Sequence, residues 1–310
     1  MTAEAPGLVL DPAVTDLLES ISTRGTAWSD LQDAPDGTGT VDEWVDVAAG
    51  EYGMIGVRVV RPSHVAGPLP AVVYLHGDGW AVGDSRSHAR IVSRLAVGTP
   101  AALIVPEFAP SPAARHPVAL EQAYAAVRWI HQAGARHGLD PRRVAVAGDS
   151  TGATLGICLV LLSLRRNEFR VAQLVAITPV IDPALDTPSA EEFAEGYLLH
   201  RDHLLAHWDG YLGDGDRTDP TISALHASAA DLAKFPPTLV ITAEADVARD
   251  EGEAFAARLR QEGVTTTAVR YEGTIHGFPV LDALARSSAA RAATAQAVAA
   301  LATALHGIRT

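Results

Sequence analysis

Cysteine is nearly absent from these 310 residues: Cys158 stands alone, inside an apolar helical run. One thiol excludes an intramolecular disulfide and any cysteine-spaced metal site, and it fits a reducing compartment. Basic charge is scarce as well, with 24 Lys and Arg against 37 Asp and Glu, a formal net charge of −13. So acidic a surface repels phosphate backbones and anionic lipid, which argues against nucleic-acid and membrane-surface roles. Long apolar runs are missing too. The longest, around residues 153–164, is too short to span a bilayer. The opening "MTAEAPGLVLDPAV" has no basic region followed by an apolar core, so it does not read as a signal peptide. No internal repeat or low-complexity tract stands out. These absences point to a soluble, cytoplasmic protein.

What is present is an ordinary globular composition, 48% hydrophobic and 20% charged. Asp11 and Pro12 open a short helix predicted over 12–22. Two strand-like runs follow, "EWVDVAA" and "GMIGVRVVRP". A rhythm then sets in: strand "PAVVYLHG" (70–77), helix "SHARIVSRLAV", strand "AALIVPEF" and a helix over 117–138. Next come strand "RVAVAG", helix 151–166, strand "QLVAIT" (173–178), strand "PPTLVITA" (236–243), helix "DEGEAFAARLRQEG" and strand "TTTAVRYEG". The last element is an Ala-rich helix ending near 306, which either packs on the sheet or adds to a dimer interface. Apolar strands alternating with helices predict an α/β fold with a mainly parallel sheet covered on both faces. Residues 182–220 break the alternation and read as a cap insertion above the strand ends. Residues 1–45 read as the N-terminal part of that cap, leaving 46–181 and 221–310 as the catalytic domain.

The chemistry gathers around "GDSTG" (148–152), which sits where a buried strand gives way to a helix. A Gly-x-Ser-x-Gly match alone is weak, but in this setting the tight turn lifts the Ser150 hydroxyl above the sheet. A serine needs a base, and His276 lies in a short loop after a strand, in "EGTIHGF". His131, His137 and His207 read instead as helix-face residues. The carboxylate that orients such a histidine is best placed at Asp246, just past a strand; Asp250 starts the next helix, and Asp182 is a weaker rival. The order Ser150, Asp246, His276 is the one expected on this kind of sheet. Charge developing on a substrate carbonyl needs fixed donors. The "YLHGDGW" loop (74–80) supplies candidates at Asp78 and Gly79, with the Thr151 N–H beside them and His76 and Gly77 supporting the loop.

With these pieces assembled, the sequence resembles the α/β-hydrolase fold, specifically the hormone-sensitive-lipase-like esterases of the bacterial acetyl-hydrolase type. The resemblance lies in "YLHGDGWAVGD", "PSPAARHPVALEQAYAAVRWI", "LDPRRVAVAGDSTGATL", "PPTLVITAEADVARDEGEAFAARLRQEGV" and "VRYEGTIHGF", spanning roughly residues 70–280. It implies cofactor-free, metal-free hydrolysis of small-molecule carboxylic esters through an acyl-serine, under a helical cap. It also supports Asp246 over Asp250, since the first acid of the "DxxxDE" pattern is the triad member there. Trp80, Asp149, Tyr197 and Trp208 are expected around the substrate pocket, Trp129 and Met54 in the core, and "DEGEAFAARLRQEG" as a solvated helix face.

Two departures stand out. The family usually carries His-Gly-Gly-Gly where this chain has "HGDG". A carboxylate about 5 Å from a developing oxyanion opposes it by roughly 3 kcal/mol, about a hundredfold in rate. Arg86, His88 and Arg90 are the nearest candidate countercharges in sequence. The elbow also reads "GDSTGAT" where "GDSAGGN" is usual, so Thr151 and Ala153 bring extra side chain beside the nucleophile. Besides an esterase, the same residues admit a scaffold retuned by Asp78 for lactone or thioester cleavage, acyl transfer or cyclisation. They also admit a non-catalytic binding protein.

Overall fold

The computed structural model describes residues 7–24, 31, 39–81 and 84–307. Eight strands form one sheet: β1 (Thr40–Ala48), β2 (Met54–Pro62), β3 (Leu69–Leu75), β4 (Ala102–Pro106), β5 (Leu139–Asp149), β6 (Leu174–Ile177), β7 (Thr238–Ala245) and β8 (Thr266–Ile275). Their order is β1-β2-β4-β3-β5-β6-β7-β8. β1 and β2 pair antiparallel, β2 lies antiparallel to β4, and every later neighbour is parallel. The parallel strands are apolar throughout because helices cover them; β3 and β4 are buried at every position.

Helices α1 (Pro12–Arg24), α2 (Ala89–Gly98), α3 (Val118–Ala133), α4 (Ser150–Arg166), α5 (Pro188–Glu192), α6 (Arg201–Leu212), α7 (Ala229–Leu232), α8 (Arg249–Gln261) and α9 (Ser288–His306) complete the chain. α2 packs against α9, and α3 against α4. α9 also lies along β5 to β8, so it covers the sheet. Among the described residues no helix is long and apolar enough to cross a membrane.

Several expectations shift in detail. The helix expected over 117–138 is α-helical only to Ala133; a 3₁₀ turn carries it on to His137, and Gly138 closes it in the left-handed conformation. β1 begins at Thr40 and so crosses the boundary drawn at 45, because its register with β2 runs unbroken from Thr40–Pro62 to Ala48–Met54. Of the N-terminal segment, α1 packs against β8 and the Asp282–Leu284 turn, while residues 1–6, 25–30 and 32–38 lie outside the described residues. The insertion at 182–220 holds α5 and α6. Met54, expected in the core, is 63% exposed where β2 begins at the sheet margin. The α8 face is not wholly solvated either. Glu251 is buried, and both its oxygens accept backbone N–H groups, from Ile181 at 2.9 Å and Asp182 at 3.0 Å.

The turn from β5 into α4 is the tightest point of the fold. A Cβ on Gly152 would stand 2.1 Å from the Leu75 carbonyl oxygen and 2.3 Å from that of His76. One on Gly148 would stand 2.7 Å from the Gly152 oxygen. Only hydrogen fits at either position, so the end of β3 presses directly on the start of α4. Gly156 differs, since a Cβ there would meet the Val146 side chain at 3.1 Å, and a side chain can yield. Gly152→Ala should therefore cost about 3 kcal/mol or more, while Gly156→Ala stays within about 1 kcal/mol of wild type. Urea-denaturation midpoints of the two variants check this contrast.

Candidate active site

Four loops leave the C-terminal ends of β3, β5, β7 and β8, and together they bring distant residues to one place. Ser150 follows β5 with φ +50, a left-handed conformation that costs a non-glycine residue about 1–2 kcal/mol. His276 follows β8, and its Nε2 lies 2.8 Å from the Ser150 Oγ. Its Nδ1 lies 2.9 Å from Oδ2 of Asp246, just past β7. Oδ1 of Asp246 accepts the Ala248 N–H at 2.9 Å, which orients the carboxylate. Asp246 and His276 are 2% and 1% exposed, so water competes little for these bonds. A proton on Nδ1 satisfies Asp246 and leaves Nε2 to accept from the serine.

The rival carboxylates are engaged elsewhere. Asp250 accepts the Ser189 N–H at 2.8 Å and the Arg249 guanidinium at 2.8 Å. Asp182 accepts the Ser223 hydroxyl at 2.9 Å and faces His226. The turn after His276 is held by Arg90, which donates to the carbonyls of Pro279 and Val280 at 2.9 and 2.7 Å and pairs with Asp282. Arg90 is thus committed to that turn, not to Asp78. No local motif pointed to this role, because the partners lie about 190 residues apart.

The loop after β3 has three successive residues with positive φ: Asp78 (70), Gly79 (69) and Trp80 (57). Gly77 must be glycine, since its Cβ would stand 2.7 Å from Asp149 Oδ2 and 2.9 Å from the Ser150 Cβ. The Gly79 N–H, a candidate oxyanion donor, points to the Thr151 hydroxyl at 3.0 Å. His207, expected merely on a helix face, lies against this loop: a Cβ on Gly79 would meet its Nδ1 at 2.5 Å. Burial lowers His76 and His207, and the nearby Asp78 carboxylate only partly opposes it; at His88 the same carboxylate adds to a net rise.

Beneath the loop lies a buried polar cluster. Asp149, expected at the pocket, is 3% exposed; its Oδ1 accepts from the Tyr74 hydroxyl at 2.7 Å and its Oδ2 from His88 Nε2 at 3.3 Å. The strand pairing of Tyr74 with Ala147 brings these groups together across β3 and β5. Burial works against a charge on His88, yet the Asp149 carboxylate, with Asp78 behind it, raises the imidazole to about 9. Burial likewise opposes charge on Asp149, but His88 and the Tyr74 hydroxyl hold it below the ordinary carboxylate value. His76 is pushed down by burial and by the His88 charge, and its ring stacks on Phe108 at 4.5 Å. Its Nδ1 lies 3.3 Å from the Gly77 carbonyl, which places it in support of the loop.

Of the expected pocket residues, Trp80 and Trp208 meet with ring centroids 4.5 Å apart, and Trp80 stacks flat on Tyr211 at 4.2 Å. This aromatic stack ties α6 of the insertion to the loop. Tyr197 belongs to a separate pair, edge-on to Phe193. Among the described residues no group of three or more His, Cys, Asp or Glu is placed to hold a metal ion.

A serine, histidine and carboxylate in hydrogen-bonded series above a mostly parallel sheet recurs on more than one fold, and the sequence decides between them. Residues 72–280 match the family described as alpha/beta hydrolase fold. The chain belongs to that family. It is similar to a carboxylesterase, NlhH, of Mycobacterium tuberculosis, 34% identical over 254 residues that cover 81% of this chain and 79% of that protein. An ethyl acetate hydrolase of Pseudomonas putida is 34% identical over 226 residues, covering 72% and 70%. Among solved structures, a thermostable esterase from Pseudomonas putida superposes with a TM-score of 0.93 at 34% identity, over 98% of this chain and 99% of that one. The hormone-sensitive-lipase-like resemblance read from the motifs therefore holds. This α/β hydrolase keeps a charged pair under its nucleophile turn, and that has a consequence for stability. Because folding raises His88 from 6.5 to about 9, its contribution is full below pH 6.5 and is lost as pH rises through about 9. His88→Gln should be less stable than wild type by about 3 kcal/mol near pH 6. The gap should narrow toward pH 10, as read from denaturation midpoints across that range.

Proposed function

We propose that this chain is a serine carboxylic ester hydrolase acting on small acyl esters, in the cytoplasm and without a cofactor. The observation that carries the proposal is the continuous series from Ser150 Oγ to His276 Nε2 at 2.8 Å and from His276 Nδ1 to Asp246 at 2.9 Å. In the first half-reaction His276 takes the Ser150 proton as Oγ attacks the ester carbon. Asp246 stabilises the imidazolium, and the new oxyanion meets the Thr151 N–H and donors of the 76–81 loop. His276 then protonates the departing alcohol, leaving an acyl-Ser150. Water, deprotonated by His276, releases the acid and restores the serine. The names of the relatives, among them an ethyl acetate hydrolase, support a small-ester substrate.

A second reading rests on Asp78, whose charge stands in the loop where the family usually carries glycine. The His88 cation next to it favours the first reading, because it offsets part of that charge. Hydrolysis of p-nitrophenyl acetate and butyrate tests the pair. Wild type should turn over, and Ser150→Ala should lose at least about 10³-fold in kcat. Asp78→Gly should keep or raise the rate, up to about a hundredfold if the full charge opposition is relieved. An inert wild type that Asp78→Gly awakens would shift the assignment to lactones, thioesters or acyl transfer.

A further inference from the structure

The residue directly after the nucleophile carries a hydroxyl that the proposed reaction has not used. Thr151 is 1% exposed, and its Oγ1 accepts the Gly79 N–H at 3.0 Å. That is its one hydrogen bond among the described residues, so the hydroxyl has an acceptor role filled and a proton still to donate. We infer that the Thr151 side-chain hydroxyl is itself an oxyanion-hole donor, taking the place of the Gly79 N–H that it occupies. This rests on the serine-hydrolase reading above.

Three physical points lead there. The backbone N and Oγ of one threonine lie about 3 Å apart in a gauche rotamer, so both can serve a single oxygen. An oxygen held by the Thr151 N–H is therefore within reach of the Thr151 O–H. Second, the Gly79 N–H polarises the hydroxyl that accepts it, which strengthens the outgoing bond in a water-poor site. Third, the 76–81 loop carries the Asp78 carboxylate, whose field disfavours an oxyanion held against the loop itself. A hydroxyl on the α4 side shifts the stabilising donors toward the helix N-terminus, where the dipole already favours negative charge. Thr151 would then relay the Gly79 dipole to the substrate, and it counts as a catalytic residue because it would touch the reacting oxygen.

The opposite role is equally concrete: a hydroxyl that merely plugs the Gly79 N–H would slow the enzyme, and removing it would speed turnover. The test compares wild type, Thr151→Val, Thr151→Ala and Thr151→Ser, each normalised by fluorophosphonate titration of Ser150. Kinetics on p-nitrophenyl acetate are paired with the affinity for an aryl trifluoromethyl ketone. In that adduct Ser150 Oγ adds to the ketone carbon, its proton passes to His276, and negative charge stays on the oxygen. Thr151→Val keeps the shape and should lower kcat about 100-fold with KM within about threefold, while ketone affinity falls by the same factor. Thr151→Ala should behave likewise, and Thr151→Ser should recover most of the lost rate. Rates equal to or above wild type in the Val and Ala variants would overturn the inference, as would a kcat loss without a matching loss of ketone affinity. A wild type that neither turns over esters nor reacts with the fluorophosphonate would instead sink the hydrolase reading, and this inference with it.

Discussion

The whole site hangs on one close contact, the packing of Gly152 against the carbonyl oxygens of Leu75 and His76. With no Cβ between them, the first turn of α4 lies against the end of β3 and holds Ser150 at φ +50. The strain of about 1–2 kcal/mol at that residue is borne by the buried strands on either side, whose apolar side chains leave the turn no room to relax. The same contact sets the distance between the serine and the 76–81 loop. Ser150 and the candidate oxyanion donors are thus positioned by one piece of backbone geometry.

Electrostatics reinforce that geometry from below. Asp149 and His88 form a buried, oppositely charged pair, with the Tyr74 hydroxyl as a third member. Such pairs contribute little net stability compared with apolar packing, since desolvation offsets most of their attraction. They are directional, however, and each partner here belongs to a different element: β3, β5 and the segment entering α2. The Asp149 carboxylate stands 2.7 Å from where a Cβ on Gly77 would fall, so the loop can approach the elbow only as far as this pair allows. The cation also sits close enough to Asp78 to share its field.

Residues 182–220 meet the loop after β3 through aromatic packing. Trp80 of the loop stacks on Tyr211 and meets Trp208, both on α6, and His207 of the same helix covers Gly79. Stacked pairs of this kind add about 0.5–1.5 kcal/mol beyond their buried area. The 76–81 loop is therefore held from three sides, by α4, by the Asp149 cluster and by α6, which accounts for three successive left-handed residues in it.

Much of this was legible in one dimension. The alternation of apolar strands and helices specified a parallel sheet, because residues buried on both faces carry no polar alternation. Ser150, Asp246 and His276 could be placed by their positions just past strands, since loops at that end of a parallel sheet converge. Contacts across the sheet were not legible. In sequence Asp149 reads as a pocket residue and Arg90 as one of three candidate countercharges for Asp78, but the pairing of Tyr74 with Ala147 sets Asp149 beside Tyr74, and Arg90 reaches the turn beyond His276. His207 carried no local signal, and the Thr151 hydroxyl could not be matched with the Gly79 N–H. Local sequence determines the period of each element and the residue at each strand end, because these depend on neighbours along the chain. Hydrogen-bond partners of buried polar groups depend on which strands lie side by side, and only the folded chain decides that.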